Sequence, residues 1–263
     1  MTTTTRRALY ASNAASLIPR IVAPTTDLKT GMLKIQAVSR ADGIIAIDGV
    51  PGTGKTTCAA IAAVKLGRPY AMVRLSHKPS PLELLRRIHA ALTGLDDGQK
   101  ATRLQLQDDI VLELVEWHGL LIVDELQNAA VNAFQELTWL YEQSGKTFSI
   151  AAVGTGVLNA ITNYPQLESR VMSSHTFFPL NGPDLISAVR NLDPRFQSAS
   201  VADLSTHDQK ACAGNLRRWV QTVNWMDALD VSGTADDALL ANIRNVMGTH
   251  ALPGTRSVKS GGR

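Results

Sequence analysis

Apolar positions along this chain switch period several times, alternating between helical spacing and short unbroken β-branched runs. Residues 27–40 fit an amphipathic helix, and Ile44-Ile45-Ala46-Ile47 then forms an apolar run too short for a helix, which predicts a buried strand. An alanine-rich helical pattern covers Thr57 to Lys65, and Tyr70 to Leu75 reads as a second strand. Pro79 and Pro81 open a helix through Leu92, Gly94 to Lys100 is a polar turn, and Thr102 to Trp117 returns to helical spacing. Gly119 is expected to end that helix before the strand Leu120-Leu121-Ile122-Val123. A helix at 131–143, a strand at 147–153, a short helix at 156–162 and a last strand at 175–180 complete the series.

Strands alternating with helices predict an α/β fold, a parallel five-stranded sheet flanked by helices on both faces. After Asn181-Gly182-Pro183 strand signals stop, and residues 184–247 read as helices interrupted at Asp193-Pro194, Gly214 and Gly233. The expected plan is a basic N-terminal arm (1–26), an α/β domain (27–182), a small all-helical lid (183–248) and a basic tail (249–263) expected to be flexible. No internal repeats occur.

Composition narrows the classes. With 263 residues, 44% hydrophobic and 19% charged, the chain can bury a sizeable core and is expected to be soluble. No apolar run has the length of a membrane span, so no membrane partner is expected. Cys58 and Cys212 are far apart and lack metal-ligand spacing, which points to buried thiols in a reducing compartment. The net charge of +3 is uneven: Arg6, Arg7 and Arg20 stand in an acid-free N-terminus, and Arg256, Lys259 and Arg263 in an acid-free C-terminus, leaving a body of −3. Such ends are arms that could touch nucleic acid or simply solubilise. The Ser/Thr/Arg-containing N-terminus shares features with organelle transit peptides, but the expected location is the bacterial cytoplasm.

The chemistry concentrates where the first strand runs into Gly49-Val50-Pro51-Gly52-Thr53-Gly54-Lys55-Thr56-Thr57. Strand, glycine loop and helix in that order are the setting of a phosphate loop. Glycines at 49, 52 and 54 let successive N–H groups turn inward on an anion, and the helix N-terminus adds partial positive charge. Lys55 then reaches the β/γ-phosphates of a nucleotide, and the Thr56 hydroxyl can ligate Mg²⁺. A second signal is Leu120-Leu121-Ile122-Val123-Asp124-Glu125, where two carboxylates leave the C-terminal end of a buried strand. Open α/β sheets bind ligands at that end. Asp124 is placed to hold Mg²⁺ and Glu125 to orient and deprotonate an attacking water. Three further residues are candidates: Thr155, a hydroxyl after the strand Ser149 to Val153; Arg170, just before the last strand; and Arg217, opening a lid helix in Gly214-Asn215-Leu216-Arg217-Arg218.

The order of these segments resembles the AAA+ ATPases, a class of P-loop NTPase. The Walker A loop matches Gly49–Thr56, the Walker B strand Leu120–Glu125, sensor 1 Thr155, the arginine finger Arg170 and sensor 2 Arg217. Within that superfamily, Val-Asp-Glu-Leu-Gln-Asn, Val-Gly-Thr-Gly, Gln-Leu-Glu-Ser-Arg and Gly-Asn-Leu-Arg-Arg look most like transposition regulators of the TnsC/TniB/MuB type, over about residues 18–230. The resemblance implies an ATPase using ATP and Mg²⁺. It also implies a homo-oligomeric ring or filament on double-stranded DNA that recruits a transposase and is dismantled by hydrolysis.

Basic residues near the second strand offer DNA contacts: Arg68, Arg74, His77 and Lys78, then Arg86 and Arg87, with Arg74 and Lys78 as the principal candidates. Contacts of this kind would be salt-dependent and indifferent to sequence. Two other readings share the phosphate loop, a small-molecule or nucleoside kinase and a nucleotide-gated adaptor with little turnover.

Overall fold

The computed structural model describes residues 18, 22–75, 78–94 and 101–248. Most of the expected basic arm, all of the basic tail, His77 and most of the Gly94–Lys100 turn lie outside these residues. The chain divides into two compact units, one built on residues 26–178 and one on 179–248 together with 22–25.

The first unit runs α1 (Thr26–Arg40), β1 (Ile44–Gly49), α2 (Lys55–Leu66), β2 (Tyr70–Arg74), α3 (Pro81–Thr93), α4 (Arg103–Trp117), β3 (Leu120–Asp124), α5 (Val131–Gln143), β4 (Ser149–Val153), α6 (Val157–Thr162), α7 (Pro165–Glu168) and β5 (Val171–Phe177). The strands form one parallel sheet in the order β2-β3-β4-β1-β5. Ile44 to Ile47 and Leu120 to Val123 are fully buried, as unbroken apolar runs covered on both faces should be. The main core packs Leu84, Leu85 and Ile88 of α3, Ile110 and Leu114 of α4 and Leu137 and Leu140 of α5 against β3 and β4.

Local chemistry sets the helix ends. Ser80 caps α3 by accepting from the Glu83 N–H, with Pro81 at the first helical position. Thr102 and Gln105 form a capping box at the start of α4. That helix ends at Trp117, as expected, but its left-handed cap is His118 (φ 47°) rather than the expected Gly119. The last strand also differs from expectation, running over 171–177 instead of 175–180. β5 is an edge strand bearing Ser173, Ser174, His175 and Thr176, and several of its residues stay partly exposed. It therefore lacks the apolar run that marks the interior strands.

The second unit is helical: α8 (Gly182–Leu192), α9 (Val201–His207), a π-helical turn (Asp208–Cys212), α10 (Leu216–Ala228) and α11 (Asp237–Met247). Phe196, Leu204, Trp219, Val223, Met226, Leu240 and Ile243 form its core, joined by Ala23 from the N-terminal segment. Buried Asp208 accepts from the Gly214 N–H and the Trp219 indole N–H, and so fixes the turn that opens α10. Both cysteines are free and buried, and burial pushes the Cys58 thiol up to about 12. No helix among the described residues is long and apolar enough to cross a membrane.

Candidate functional site

Parallel register brings the C-terminal ends of four strands together. Arg74 pairs with Asp124, Asp124 with Val153, and Val153 with Ile47, so the ends of β2, β3, β4 and β1 share one rim. The glycine loop leaves β1 at that rim. Gly49 has φ 137°, and a Cβ there would lie 2.3 Å from the Phe177 carbonyl oxygen, so only glycine fits beside β5. Gly54 (φ 102°) delivers the chain to the first turn of α2, which carries Lys55, Thr56 and Thr57. Thr53 is buried, and its hydroxyl donates to the Val50 carbonyl across the loop (2.9 Å).

The expected residues meet there. The Lys55 ammonium donates to the carbonyls of Gly49 (2.6 Å) and Val50 (2.9 Å) and lies 3.2 Å from the Thr155 hydroxyl. Thr56 Oγ1 lies 3.2 and 3.1 Å from the two carboxylate oxygens of Asp124. Asp124 is 1% exposed, and burial raises its pKa despite the opposing Thr56 hydrogen bond. Glu125 follows in the left-handed region (φ 59°), a backbone conformation that costs a residue with a side chain roughly 1–3 kcal/mol. That turn ends the strand and leaves the carboxylate partly exposed at the rim.

A buried carboxylate beside a hydroxyl is an oxygen donor set suited to a hard cation such as Mg²⁺. Among the described residues no three His, Cys, Asp or Glu side chains come together as a metal cage. A cation here therefore has to complete its shell with phosphate oxygens and water, which is the usual habit of Mg²⁺. A glycine loop at a helix N-terminus, with Lys55 beside it, likewise suits a polyphosphate.

Two residues with no role assigned from sequence organise this rim. Asp48 closes β1. Its Oδ1 accepts from the N–H groups of Gly49 (2.6 Å) and Gly156 (2.7 Å), and its Oδ2 from that of Leu158 (3.0 Å), tying the loop to the start of α6. Gln127 donates from Nε2 to Glu125 Oε2 (2.6 Å) and accepts at Oε1 from the Thr155 N–H (3.2 Å). A single carboxylate ending an apolar strand was the available signal for Asp48. Gln127 stood two residues beyond Glu125 in a quoted motif, without a geometric clue.

The basic candidates separate. Arg74 lies at the rim, 3.8 Å from Asp124 and 3.5 Å from Glu125, with its side chain 69% exposed. Lys78 is exposed, and Arg87 pairs with Glu83 and donates to the Arg74 carbonyl. Arg68 belongs elsewhere: before β2, at the opposite end of that strand from Arg74, it pairs with Asp42 (2.6 Å) and donates to the carbonyls of His118 and Ser39. It braces the sheet's other end and does not extend the basic cluster. Arg170 pairs through Nε with Glu142 and donates to the Gln166 carbonyl and the Ser169 hydroxyl. Arg170 also holds the Glu142 carboxyl below its ordinary range. Glu142 and Gln166 line an open cavity of about 550 Å³ with Arg103, Glu136, Trp139 and Tyr164. Arg217 is exposed on the first turn of α10 in the second unit, which Asn215 caps.

Residues 38–161 match a family described as an AAA domain. No curated protein gives a significant match. Among solved structures, the ORC2 protein of Aeropyrum pernix in ADPNP–ADP complexes is 17% identical, with a TM-score of 0.65 over 85% of this chain and 69% of that one. The A. pernix ORC1 protein in complex with DNA is 12% identical, with a TM-score of 0.65 over 88% and 67%. The Thermotoga maritima RuvB Holliday junction branch migration motor is 15% identical, with a TM-score of 0.55 over 88% and 72%. At such identities the likeness is one of fold. The chain has a P-loop AAA+ fold, a parallel five-stranded sheet with flanking helices followed by a helical segment.

Proposed function

We propose that the protein is an ATP-hydrolysing, self-assembling DNA-binding protein that regulates transposition, choosing target sites and recruiting a transposase. The observation that carries the hydrolytic part is the convergence of Lys55, Thr56, Asp124, Glu125 and Thr155 on one rim of the sheet. In this reading the loop N–H groups from Gly52 to Thr57 and the Lys55 ammonium bind and orient the phosphates. Thr56 and Asp124 hold Mg²⁺, which when bound neutralises charge on the phosphate oxygens. Glu125 takes a proton from water as the water oxygen bonds to the γ-phosphorus and the bridging oxygen leaves with ADP. The Thr155 hydroxyl orients the transferring group, and Arg217 links the lid to nucleotide state. Arg170 serves a neighbouring subunit in trans. Its partners in this chain, Glu142, Gln166 and Ser169, are not phosphate-loop residues, as a finger offered to another copy requires.

DNA binding rests on the exposed Arg74 and Lys78 and on the basic sequence ends, and the fold's likeness to an ORC1 protein solved with DNA agrees with it. The transposition role rests on the motif resemblance given above. Calorimetry and phosphate release with Mg²⁺ test the enzyme: Lys55→Ala should lose ATP binding, and Glu125→Gln should bind ATP without turnover. Electron microscopy with duplex DNA and a non-hydrolysable analogue tests assembly, where rings or filaments are expected. Failure of the folded protein to bind ATP would overturn the proposal at its root, and monomers indifferent to nucleotide and DNA would overturn the assembly.

A further inference from the structure

We infer that Gln127 is a positioning residue that couples the phosphate-sensing strand end to the hydrolytic base, an inference that rests on the ATPase reading above. Its two amide atoms face opposite demands. The Glu125 carboxylate requires a donor and receives Nε2–H at 2.6 Å, while the Thr155 N–H requires an acceptor and reaches Oε1 at 3.2 Å. Only a primary amide of this length meets both. Glutamate would set carboxylate against carboxylate, and asparagine is one methylene short. The Thr155 hydroxyl in turn lies 3.2 Å from the Lys55 ammonium. A continuous polar path therefore runs Lys55, Thr155, Gln127, Glu125.

The backbone is built around this amide. An added Cβ at Gly154 would lie 1.8 Å from Gln127 Oε1, closer than any real contact, whereas its next non-glutamine neighbour is the Val157 Cβ at 3.4 Å. Gly154 has no left-handed backbone to explain its identity, so the space that it leaves serves Gln127. On the other side, the left-handed turn at Glu125 carries the base out of the strand line, where β3 can no longer hold its side chain. Gln127 supplies the close restraint, on Oε2 at 2.6 Å, while the exposed Arg74 reaches Oε1 only at 3.5 Å. Displacement of Lys55 or Thr155 by a phosphate is thereby transmitted to the orientation of the base.

Steady-state hydrolysis and calorimetry on the full-length protein and four variants test the relay. Gln127→Ala and the near-isosteric Gln127→Glu should each lower kcat roughly tenfold to a hundredfold, the worth of a charge-assisted hydrogen bond, with Kd for Mg·ATP within about threefold of wild type. Gly154→Ala should do the same by expelling the amide. The Gln127→Ala/Gly154→Ala double variant should be no slower than Gln127→Ala, because the added methyl then meets no amide. Unchanged kcat in Gln127→Glu, ATP affinity falling in step with kcat, or penalties that add in the double variant would each overturn the relay. A folded wild type that binds ATP but never releases phosphate would instead defeat the hydrolase reading, and the relay with it.

Discussion

Replacing Asp48 by asparagine measures how firmly the glycine loop is tied to the neighbouring strand end. The carboxylate accepts three main-chain N–H groups, from Gly49, Gly156 and Leu158, and is 9% exposed. Asparagine keeps one oxygen for Gly49 and Gly156 but turns an NH₂ against the Leu158 N–H. One charge-assisted bond is lost, at roughly 1.5–3 kcal/mol, and two more weaken toward neutral strength. The negative charge that complements the dipole at the start of α6 also goes, a further few tenths of a kcal/mol. A total near 3 kcal/mol, with an m-value of about 2 kcal/mol/M, lowers the urea midpoint by about 1.5 M. Hydrogen exchange resolved by mass spectrometry should show the opening localised at residues 154–160. Asp109→Asn, on the exposed face of α4, is the control and should shift nothing. An Asp48→Asn midpoint within 0.3 M of wild type (about 0.6 kcal/mol at that m-value), with unchanged exchange over that segment, would show that the three bonds do not fasten the loop.

Asp124→Asn should raise the melting temperature of the nucleotide-free protein by a few degrees while abolishing Mg²⁺-dependent stabilisation by ATP, since burial opposes the ionised form. The sign follows from the raised pKa: this group's contribution to stability is complete below its unfolded value and is lost as pH rises through the folded one, so the variant's gain grows with pH. His207, buried beside Thr222 and Trp219, has its pKa lowered to about 4 by desolvation. The helical unit should therefore keep its stability above pH 6.5 and lose roughly 3 kcal/mol as pH falls toward 4, a slope that His207→Gln removes in pH-dependent denaturation followed by tryptophan fluorescence. Arg170→Ala should cut hydrolysis in the assembled state roughly a thousandfold or more, the usual worth of an arginine finger, while ATP binding to the isolated subunit persists. An unaffected rate would remove Arg170 from that role.

Legibility in the sequence tracked how local the physics was. The interior strands β1, β3 and β4 announced themselves because burial on both faces demands unbroken apolar runs; Asp124 followed as the carboxylate that ends β3, and Lys55 as the residue that opens the helix after the glycine loop. β5 was displaced because an edge strand tolerates Ser173, Ser174 and Thr176, which dilute the signal. The end of α4 at Trp117 was legible, but its terminator was not: Gly119 looked like the usual left-handed cap while His118 took that conformation. Arg68 and Arg74 are six residues apart and looked like one basic patch, but Arg68 precedes β2 and Arg74 ends it, so the strand carries them to opposite ends of the sheet. Asp48 and Gln127 act on partners up to 110 residues away, and no spacing rule reaches across a fold.

Nearly every polar group assigned to nucleotide chemistry already has a partner in this chain. Lys55 donates to its own loop carbonyls, Thr56 meets Asp124, and Glu125 meets Gln127. Phosphates reaching Lys55 must displace the Gly49 and Val50 carbonyls, so the free energy of binding is the difference between two sets of hydrogen bonds. That exchange makes affinity modest for the number of contacts, but it makes conformation responsive. Once the ammonium leaves the loop carbonyls, its neighbour Thr155 would be freed to follow the phosphate, and the proposed relay through Gln127 would carry that movement to the base. Buried Asp124 adds the complementary bias, because its ionised form is costly until a cation shares the site. On the proposed reading, phosphate and metal would relieve different burdens on the same rim, and each would make the other's binding easier. Cooperative uptake of ATP and Mg²⁺ is the consequence: removing Asp124 should weaken ATP binding strongly in the presence of Mg²⁺ and little in its absence.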